Sequence, residues 1–384
     1  MENHSTAAEW RVLVECVKAS FDARRLTDLL LQPLDWSLLV SLAEAHCILT
    51  LVGARIQECG ESSVPPEIRQ KLRDGHRTQA LSTLSMTAEL FRLLERFARA
   101  DIATLAIKGP ALSVRCYGDP GIRQYSDLDL IVRDRDIRHS TEVMMGLEYE
   151  PHVPLKAIDA GKIPGEYVFT RVKEKLRVEF HTEHTFRYHP RPLPVEDLFK
   201  RQIRVSFDAH EVPALSAEDE LILISIHGAK HFWERLIWIA DVAALVSRKP
   251  EIDWERVTLA AREIGAERML HVGLRLAADL LGAPLPEKIA AAVQSNKSAV
   301  RLAVQVLRWL PMAGEATPKL FTRAAFRMRM RGGLLSAPAY LLRLSLSPTE
   351  EDWVEGAEGK RPWLFDALLR PFRLARKYGR HGKT

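Results

Sequence analysis

The chain has 384 residues, of which 47% are hydrophobic and 27% are charged, a balance typical of a globular protein. The formal net charge of +5 is too small to indicate nucleic-acid binding by itself. No apolar run approaches the ~20 residues that a membrane-spanning helix needs, and the four cysteines form no C-x-x-C pair. The N-terminus shows no secretory signal pattern, so these features together predict a reduced, cytoplasmic protein.

Residues 1–100 are predicted to form a helical region that precedes any strand. Apolar residues recur at a spacing near 3.6 over 35–56 and again over 65–101. In the second segment Pro66 lies near the helix start, where proline is well tolerated. The pattern therefore predicts a long helix over 65–101.

Residues 101–212 contain the strand patterns and are predicted to form the core of the protein. The apolar segment 103–109 predicts a buried strand, and 110–118 predicts a short helix with a proline at its first position. A second strand is predicted over 127–132 and a helix over 133–146.

A hairpin is predicted over 166–182, because two segments of strand-forming residues flank the polar turn 173–175. From Ser216 the pattern is helical again, and 213–312 is predicted to be a helical domain. The predicted fold class is therefore α+β, a small mixed sheet with helices, flanked by N- and C-terminal helical regions.

The C-terminal region 313–384 is basic. From Lys360 to Thr384 there are eight Lys or Arg residues and one acid, Asp366. Such a tail suits contact with RNA phosphates, an anionic membrane surface or a partner protein, which would make the chain a non-catalytic binding module. The alternative, which we favour, is a helix that lies on the acidic side of the same protein and covers apolar surface with its arginine stems.

Two aspartates, Asp127 and Asp129, interrupt the apolar run of the second predicted strand. Side chains at i and i+2 of a strand project from one face, so the two carboxylates are expected to lie side by side. Carboxylates held that close repel each other unless a cation lies between them. Mg²⁺ prefers such oxygen ligands together with substrate phosphates, so the pair is a candidate metal site. The alternative is a solvent-facing strand with ordinary surface acids.

A third acid, Glu179, lies in the second strand of the predicted hairpin. Val178 and Phe180 are expected to face the core, which places Glu179 and His181 on the opposite face. If this strand lies beside the one with the aspartates, three carboxylates converge and suit a two-metal site for phosphoryl transfer. Glu183 lies close by and is the alternative third acid.

The segments "IKGP" (107–110), "SDLDLIV" (126–132) and "VEF" (178–180) resemble the nucleotidyltransferase superfamily of the DNA polymerase β type. From about residue 30 onward the chain is similar to one branch of it, the uncharacterised bacterial nucleotidyltransferase family NTP_transf_5. Pro110 stands where the wider superfamily has serine, and the third acid is glutamate where the branch often has aspartate.

The resemblance implies a polymerase β-like core and a specific chemistry. Asp127, Asp129 and Glu179 would bind two Mg²⁺ ions, or Mn²⁺, and Gly109 would let the backbone approach a triphosphate. The implied reaction transfers a nucleoside monophosphate from an NTP such as ATP to an unknown acceptor hydroxyl and releases pyrophosphate.

Lys108 and Arg123 are candidate nucleotide-binding cations, because both flank the acidic segment. Either could neutralise phosphate charge, and arginine can also bind two oxygens at once. The alternative is a structural ion pair with Asp119, Asp127 or Asp129.

Three hydroxyl-bearing residues near this segment are further candidates. Ser126 either donates a hydrogen bond to a phosphate or simply begins the strand. Tyr117 and Tyr125 either stack on a base or belong to the core.

His227 and His231 are predicted to lie on one face of a helix, at the i, i+4 spacing of zinc-binding helices. His181 and His184 could complete such a site, which makes a zinc hydrolase the less favoured alternative function. The hypothesis we prefer is a buried hydrogen-bonded network of His227, His231 and Asp241.

Overall fold

The computed structural model describes residues 6–159, 165–182, 194–207, 209–248, 251–312 and 320–331. The alternative acid Glu183, His184 and the basic segment from Lys360 to Thr384 lie outside the described residues.

The N-terminal region is helical, as predicted. Its helices are α1 (Thr6–Val17), α2 (Ala23–Leu30), α3 (Trp36–Ala45), α4 (Leu49–Cys59) and α5 (Pro66–Arg99). The long helix predicted over 65–101 is α5, with 34 residues.

The helical segment 35–56 is divided into α3 and α4, which the apolar spacing did not predict. Cys47 has a φ of +56°, a left-handed conformation that ends a helix. The break is held from outside, because the Nδ1 atom of His46 accepts a hydrogen bond of 3.1 Å from the backbone N–H of Leu236. A tertiary contact therefore overrides the local helical pattern.

The predicted mixed sheet is present. Its strands are β1 (Leu105–Ile107), β2 (Leu128–Ile131), β3 (Glu150–Pro151), β4 (Glu166–Arg171), β5 (Leu176–His181), β6 (Ile203–Phe207) and β7 (His210–Ala214). They form one seven-stranded sheet in the order β3-β4-β5-β2-β1-β7-β6. β2 runs parallel to β5, whereas β1 and β2 are antiparallel. The β4–β5 pair is the hairpin predicted over 166–182.

Short helices connect the strands, and a larger helical region follows them. The connecting helices are α6 (Gly109–Tyr117), α7 (Ile137–Gly146), α8 (Leu155–Asp159) and α9 (Val195–Lys200). The helices that follow are α10 (Ala217–Lys230), α11 (Leu236–Arg248), α12 (Trp254–Glu263), α13 (Glu267–Leu281), α14 (Glu287–Ser295), α15 (Lys297–Trp309) and α16 (Leu320–Met330).

Several element boundaries differ slightly from the prediction. α6 begins one residue earlier than expected, at Gly109, so its proline is the second helical residue. The helix predicted over 133–146 starts as a 3₁₀ turn, Asp134–Asp136, before α7. Helix and strand ends commonly shift by a residue or two, and the element types are unchanged.

Hydrophobic cores lie on both faces of the sheet. Leu128 and Leu130 of β2 belong to the core that α5 and α7 cover. Ile131 belongs to the other core, which includes α6, α10 and α11. Because strand side chains alternate, Asp129 points to the face of the second core. Asp129 therefore faces the side of the sheet that α6, α10 and α11 cover, where these helices can form the wall of a cleft.

The four cysteines are free thiols. Within the ranges given above, no helix has the length and apolarity that crossing a membrane requires.

Candidate active site

The parallel pairing of β2 and β5 brings two acids together. Asp129 is directly opposite Glu179 in the register, and Ile131 is opposite His181. One ligand atom each of Asp129, Glu179 and His181 lies within 4.8 Å of the others. The predicted proximity of Asp129 and Glu179 is therefore confirmed. Side chains alternate along each strand, so the parallel register places both carboxylates on the same face of the sheet.

Asp127 lies at the edge of this group rather than in it. β2 begins at Leu128, so Asp127 precedes the paired part of the strand. Its side chain is half-buried and lines the same cleft as Asp129. Burial raises the pKa of Asp127, and the nearby Asp129 carboxylate raises it further. Its role as a metal ligand stays a prediction.

Asp129 is the most strongly held acid of the group. Its Oδ1 atom accepts a hydrogen bond of 3.0 Å from Lys108 Nζ and one of 2.8 Å from His181 Nε2. Burial alone would raise the pKa of Asp129, but Lys108 and His181 together lower it well below the usual range. Asp129 is therefore a carboxylate at neutral pH.

Glu179 contacts one arginine but also lies near two other carboxylates. Its Oε1 atom accepts hydrogen bonds from Arg177, at 2.8 Å from Nε and 2.5 Å from Nη2. Burial raises the pKa of Glu179, and the carboxylates of Asp129 and Glu166 raise it further. The acids of the cleft therefore repel one another, which is the condition that a bound cation would relieve.

Lys108 reaches Asp129 from an unusual backbone position. It caps α6 with φ +53° and ψ −141°, a conformation that residues with a side chain rarely adopt. Such strain concentrates at functional sites. Gly109 follows with φ +43°, and a Cβ placed there would lie 3.8 Å from the backbone oxygen of Asp127, an ordinary contact. Its conformation, rather than crowding within the chain, is what favours glycine.

Arg123 forms no ion pair with Asp119, Asp127 or Asp129 among the described residues. Its Nε atom lies 2.9 Å and 3.1 Å from the two carboxylate oxygens of Asp241 on α11. The hydroxyl of Tyr117 donates a further hydrogen bond of 3.0 Å to Asp241. Arg123 also lines the cleft, as does the exposed Ser126, and their contact with phosphate stays a prediction.

The preferred hypothesis for His227 and His231 is wrong. Asp241 binds Arg123 and Tyr117, and within the described chain it accepts no hydrogen bond from either histidine. The two imidazoles pack on each other and on Trp238, with ring centroids 4.7–5.5 Å apart. Burial lowers the pKa of His231 to about 3, so that ring is neutral.

The zinc alternative also finds no support among the described residues. The group of metal-ligating side chains there contains neither His227 nor His231. His181, which was to complete the zinc site, instead binds Asp129.

A cleft of about 520 Å³ joins the acids to the helical wall. Its lining includes Lys108 and Glu179 on one side and His227 and Trp238 on the other. The acid Glu166, at the start of β4 and opposite His181 in the hairpin register, also lines it. Lys230 Nζ lies 3.7 Å from Glu166 Oε2. The predicted turn 173–175 would have placed Glu166 opposite Thr182, but the observed turn is 172–175 and shifts the register by one residue. Because a shift of one residue moves a side chain to the other face, Glu166 could not have been assigned to the cleft from the sequence.

Comparison with known protein families identifies the family of the chain. The family model described as "uncharacterised nucleotidyltransferase" matches residues 32–282. The chain belongs to this family. The predicted resemblance is thereby confirmed over residues 32–282, whereas the similarity expected beyond residue 282 stays a prediction. A nucleotidyltransferase is the general function that the family indicates. No curated protein matches the chain.

Proposed function

We propose that the protein is a metal-dependent nucleotidyltransferase with a polymerase β-like core. It transfers a nucleoside monophosphate from an NTP to an acceptor hydroxyl and releases pyrophosphate. The observation that carries the proposal is the register of β2 and β5, which holds Asp129 opposite Glu179 in a polar cleft.

The donor set fits a divalent cation. Carboxylate oxygens of Asp129 and Glu179 lie close enough to share an ion, and Asp127 lines the same cleft. The ammonium of Lys108 lies 3.0 Å from Asp129, which shows that the group attracts positive charge. Asp127, Asp129 and Glu179 would hold Mg²⁺ or Mn²⁺, two ions in the complete site. Such ions polarise the phosphate and favour ionisation of the attacking hydroxyl.

The residues of the chain supply the remaining steps. Lys108 Nζ and other cations that line the cleft, such as Arg123, would bind triphosphate oxygens. The acceptor oxygen forms a bond to the α-phosphorus, and the bond from that phosphorus to the bridging oxygen breaks. Pyrophosphate leaves with the electron pair, and the hydroxyl proton passes to Glu179. His181 would orient Asp129 through the hydrogen bond of 2.8 Å.

The test is incubation of the purified protein with each labelled NTP, Mg²⁺ and cell extract, followed by tracing of the label. We expect one extract component to become labelled, and the double variant Asp127→Asn/Asp129→Asn to abolish the labelling. Glu174→Gln is the matched control, because Glu174 is an exposed acid at the turn of the same hairpin. Equal labelling by the double variant and the wild type would refute the proposal.

The non-catalytic binding module remains the second hypothesis. The basic segment that motivates it, 360–384, lies outside the described residues. Deletion of that segment should remove salt-dependent RNA or vesicle binding if the hypothesis holds. The opposed acids in the cleft favour catalysis, because a module that only binds has no need of repelling carboxylates. A cytoplasmic location stays a prediction.

A further inference from the structure

A second cavity, away from the acidic cleft, has an unusual lining. It measures about 270 Å³ and is lined by Arg268, Ser298, Arg301, Leu302, Gln305 and Arg329. These residues belong to α13, α15 and α16, and none of them lines the acidic cleft. We call this cavity the arginine pocket. It combines guanidinium groups with a hydroxyl and an amide, and its lining contains no acid.

Two acids of α13, Glu267 and Asp279, are engaged by other cations. Glu267 binds Arg262, with 2.5 Å between Oε1 and Nε. Asp279 forms an ion pair with Arg275. Among the described residues, neither Arg301 nor Arg329 has an ion-pair or side-chain hydrogen-bond partner, and both side chains are exposed. Positive charge therefore accumulates at the arginine pocket, and no carboxylate among the described residues pairs with Arg301 or Arg329.

Arg268 is the residue that makes the pocket more than a basic surface. Its Nη1 atom donates to the backbone oxygens of Arg329 and Arg331, at 2.5 Å and 2.9 Å, and so caps the C-terminal end of α16. This cap provides hydrogen-bond acceptors for Nη1. The Nε atom of Arg268 is buried and has no hydrogen-bond partner within the described chain. Burial lowers the pKa of the half-buried Arg268, and the Glu267 carboxylate, which acts in the opposite direction, does not offset the effect of burial.

We propose that the arginine pocket binds a small phosphate-bearing ligand. Guanidinium groups recognise phosphate oxygens through paired, charge-assisted hydrogen bonds, and Ser298 and Gln305 add neutral donors. A volume of about 270 Å³ is just below the range of ~300–1,000 Å³ that drug-sized ligands fill. The size therefore favours inorganic phosphate or a small phosphate monoester over an extended polyanion.

The test is isothermal titration of the full chain with inorganic phosphate and, separately, with ribose 5-phosphate. We expect saturable binding that weakens about tenfold or more in Arg301→Gln/Arg329→Gln, since two charge-assisted contacts are lost. Arg308→Gln is the matched control, because Arg308 is an exposed arginine of α15 that does not line the pocket. Asp129→Asn should bind as the wild type does, because it changes only the acidic cleft.

Three outcomes would overturn the proposal. The first is no binding of either probe, and the second is equal binding by the wild type and the double variant. The third is binding of a 12-nucleotide RNA through Arg301 and Arg329 without binding of the small phosphates, which would make the pocket part of a nucleic-acid surface. Circular dichroism of the double variant checks the fold, and both substitutions are at exposed positions.

Discussion

Two clusters of buried charge lie side by side in this protein and differ in their balance. In the first, which we call the junction cluster, Arg115 pairs with Glu220 and Arg123 pairs with Asp241, so each carboxylate has its own guanidinium. In the second, the acid cluster of Asp127, Asp129, Glu166 and Glu179, carboxylates face one another in the cleft.

The causes of the pKa shifts distinguish Glu179 from the two junction acids. Burial raises the pKa of Glu220 and Asp241, and the largest opposing effect on each is its own arginine. Burial also raises the pKa of Glu179, but there the next effect is a neighbouring carboxylate, which acts in the same direction. One-to-one ion pairs join α10 and α11 to α6 and the segment after it, whereas in the acid cluster carboxylates also lie beside one another although Lys108, Arg177 and Lys230 each contact one of them. Carboxylates that repel one another in a cleft indicate a ligand site.

The largest expected effect is the loss of catalytic activity when a residue of the acid cluster is substituted. Asp129→Asn should lower turnover by about 10³-fold or more, because it removes a charge that the transition state requires, while the fold is retained. Measurement of pyrophosphate release together with circular dichroism checks both parts. If Asp129→Asn unfolded, Asp129 would be needed for the fold, as the residues of the junction cluster are, and the prediction would be wrong.

The next effect concerns the junction cluster. Arg115→Met should lower the free energy of unfolding by about 3–5 kcal/mol, because it leaves Glu220 buried without a counter-charge. Urea denaturation measures the loss. The double variant Arg115→Met/Glu220→Leu should recover much of it, since no charge is then left unpaired. Equal losses in the single and double variants would contradict this account of the junction.

Divalent cations should distinguish the clusters in the wild type. At 100 times its dissociation constant, Mg²⁺ should stabilise the fold by about 2.7 kcal/mol, because it binds only the folded acid cluster. Thermal unfolding with and without a chelator measures this, and Asp129→Asn should show no such shift. A shift of equal size in Asp129→Asn would mean that the ion binds elsewhere.

The smallest effect is a difference in pH dependence between two acids. The pKa of Glu179 is raised in the folded state, so its favourable contribution is present at low pH and is lost as pH rises. The pKa of Asp129 is lowered, so its contribution is present above about pH 4 and is lost as pH falls. Without metal, Glu179→Gln should gain stability relative to the wild type as pH rises from 4 to 8.

Asp129→Asn should show the opposite trend, in a more acidic range. Its stability relative to the wild type should fall as pH rises toward about 4 and stay constant above it, because the paired carboxylate of the wild type is then fully formed. Denaturation midpoints at several pH values measure both variants. Trends of the same sign would show that the two acids share one environment.

The local part of the site could be predicted from the sequence. Alternation in "DLDLIV" and "LRVEFH" assigned Asp129 and Glu179 to a single face, and the hairpin pattern placed β4 beside β5. These features depend on strand geometry alone, which has a fixed period.

The long-range partners could not be predicted in this way. Arg123 binds Asp241, which is 118 residues away, and the choice depends on how α11 packs against α6. The same packing directs His227 and His231 to Trp238 rather than to Asp241. Periodicity assigns a residue to a face of its helix, but it does not say which element covers that face.

The central claim is that Asp129 and Glu179 together bind the divalent cation that carries the nucleotide. Calorimetric titration with a non-hydrolysable NTP analogue, with Mg²⁺ and with chelator, tests it most directly in the wild type, Asp129→Asn and Glu174→Gln. We predict Mg²⁺-dependent binding by the wild type and Glu174→Gln, and a loss of about 100-fold or more in Asp129→Asn. Equal affinity in all three proteins would contradict the claim.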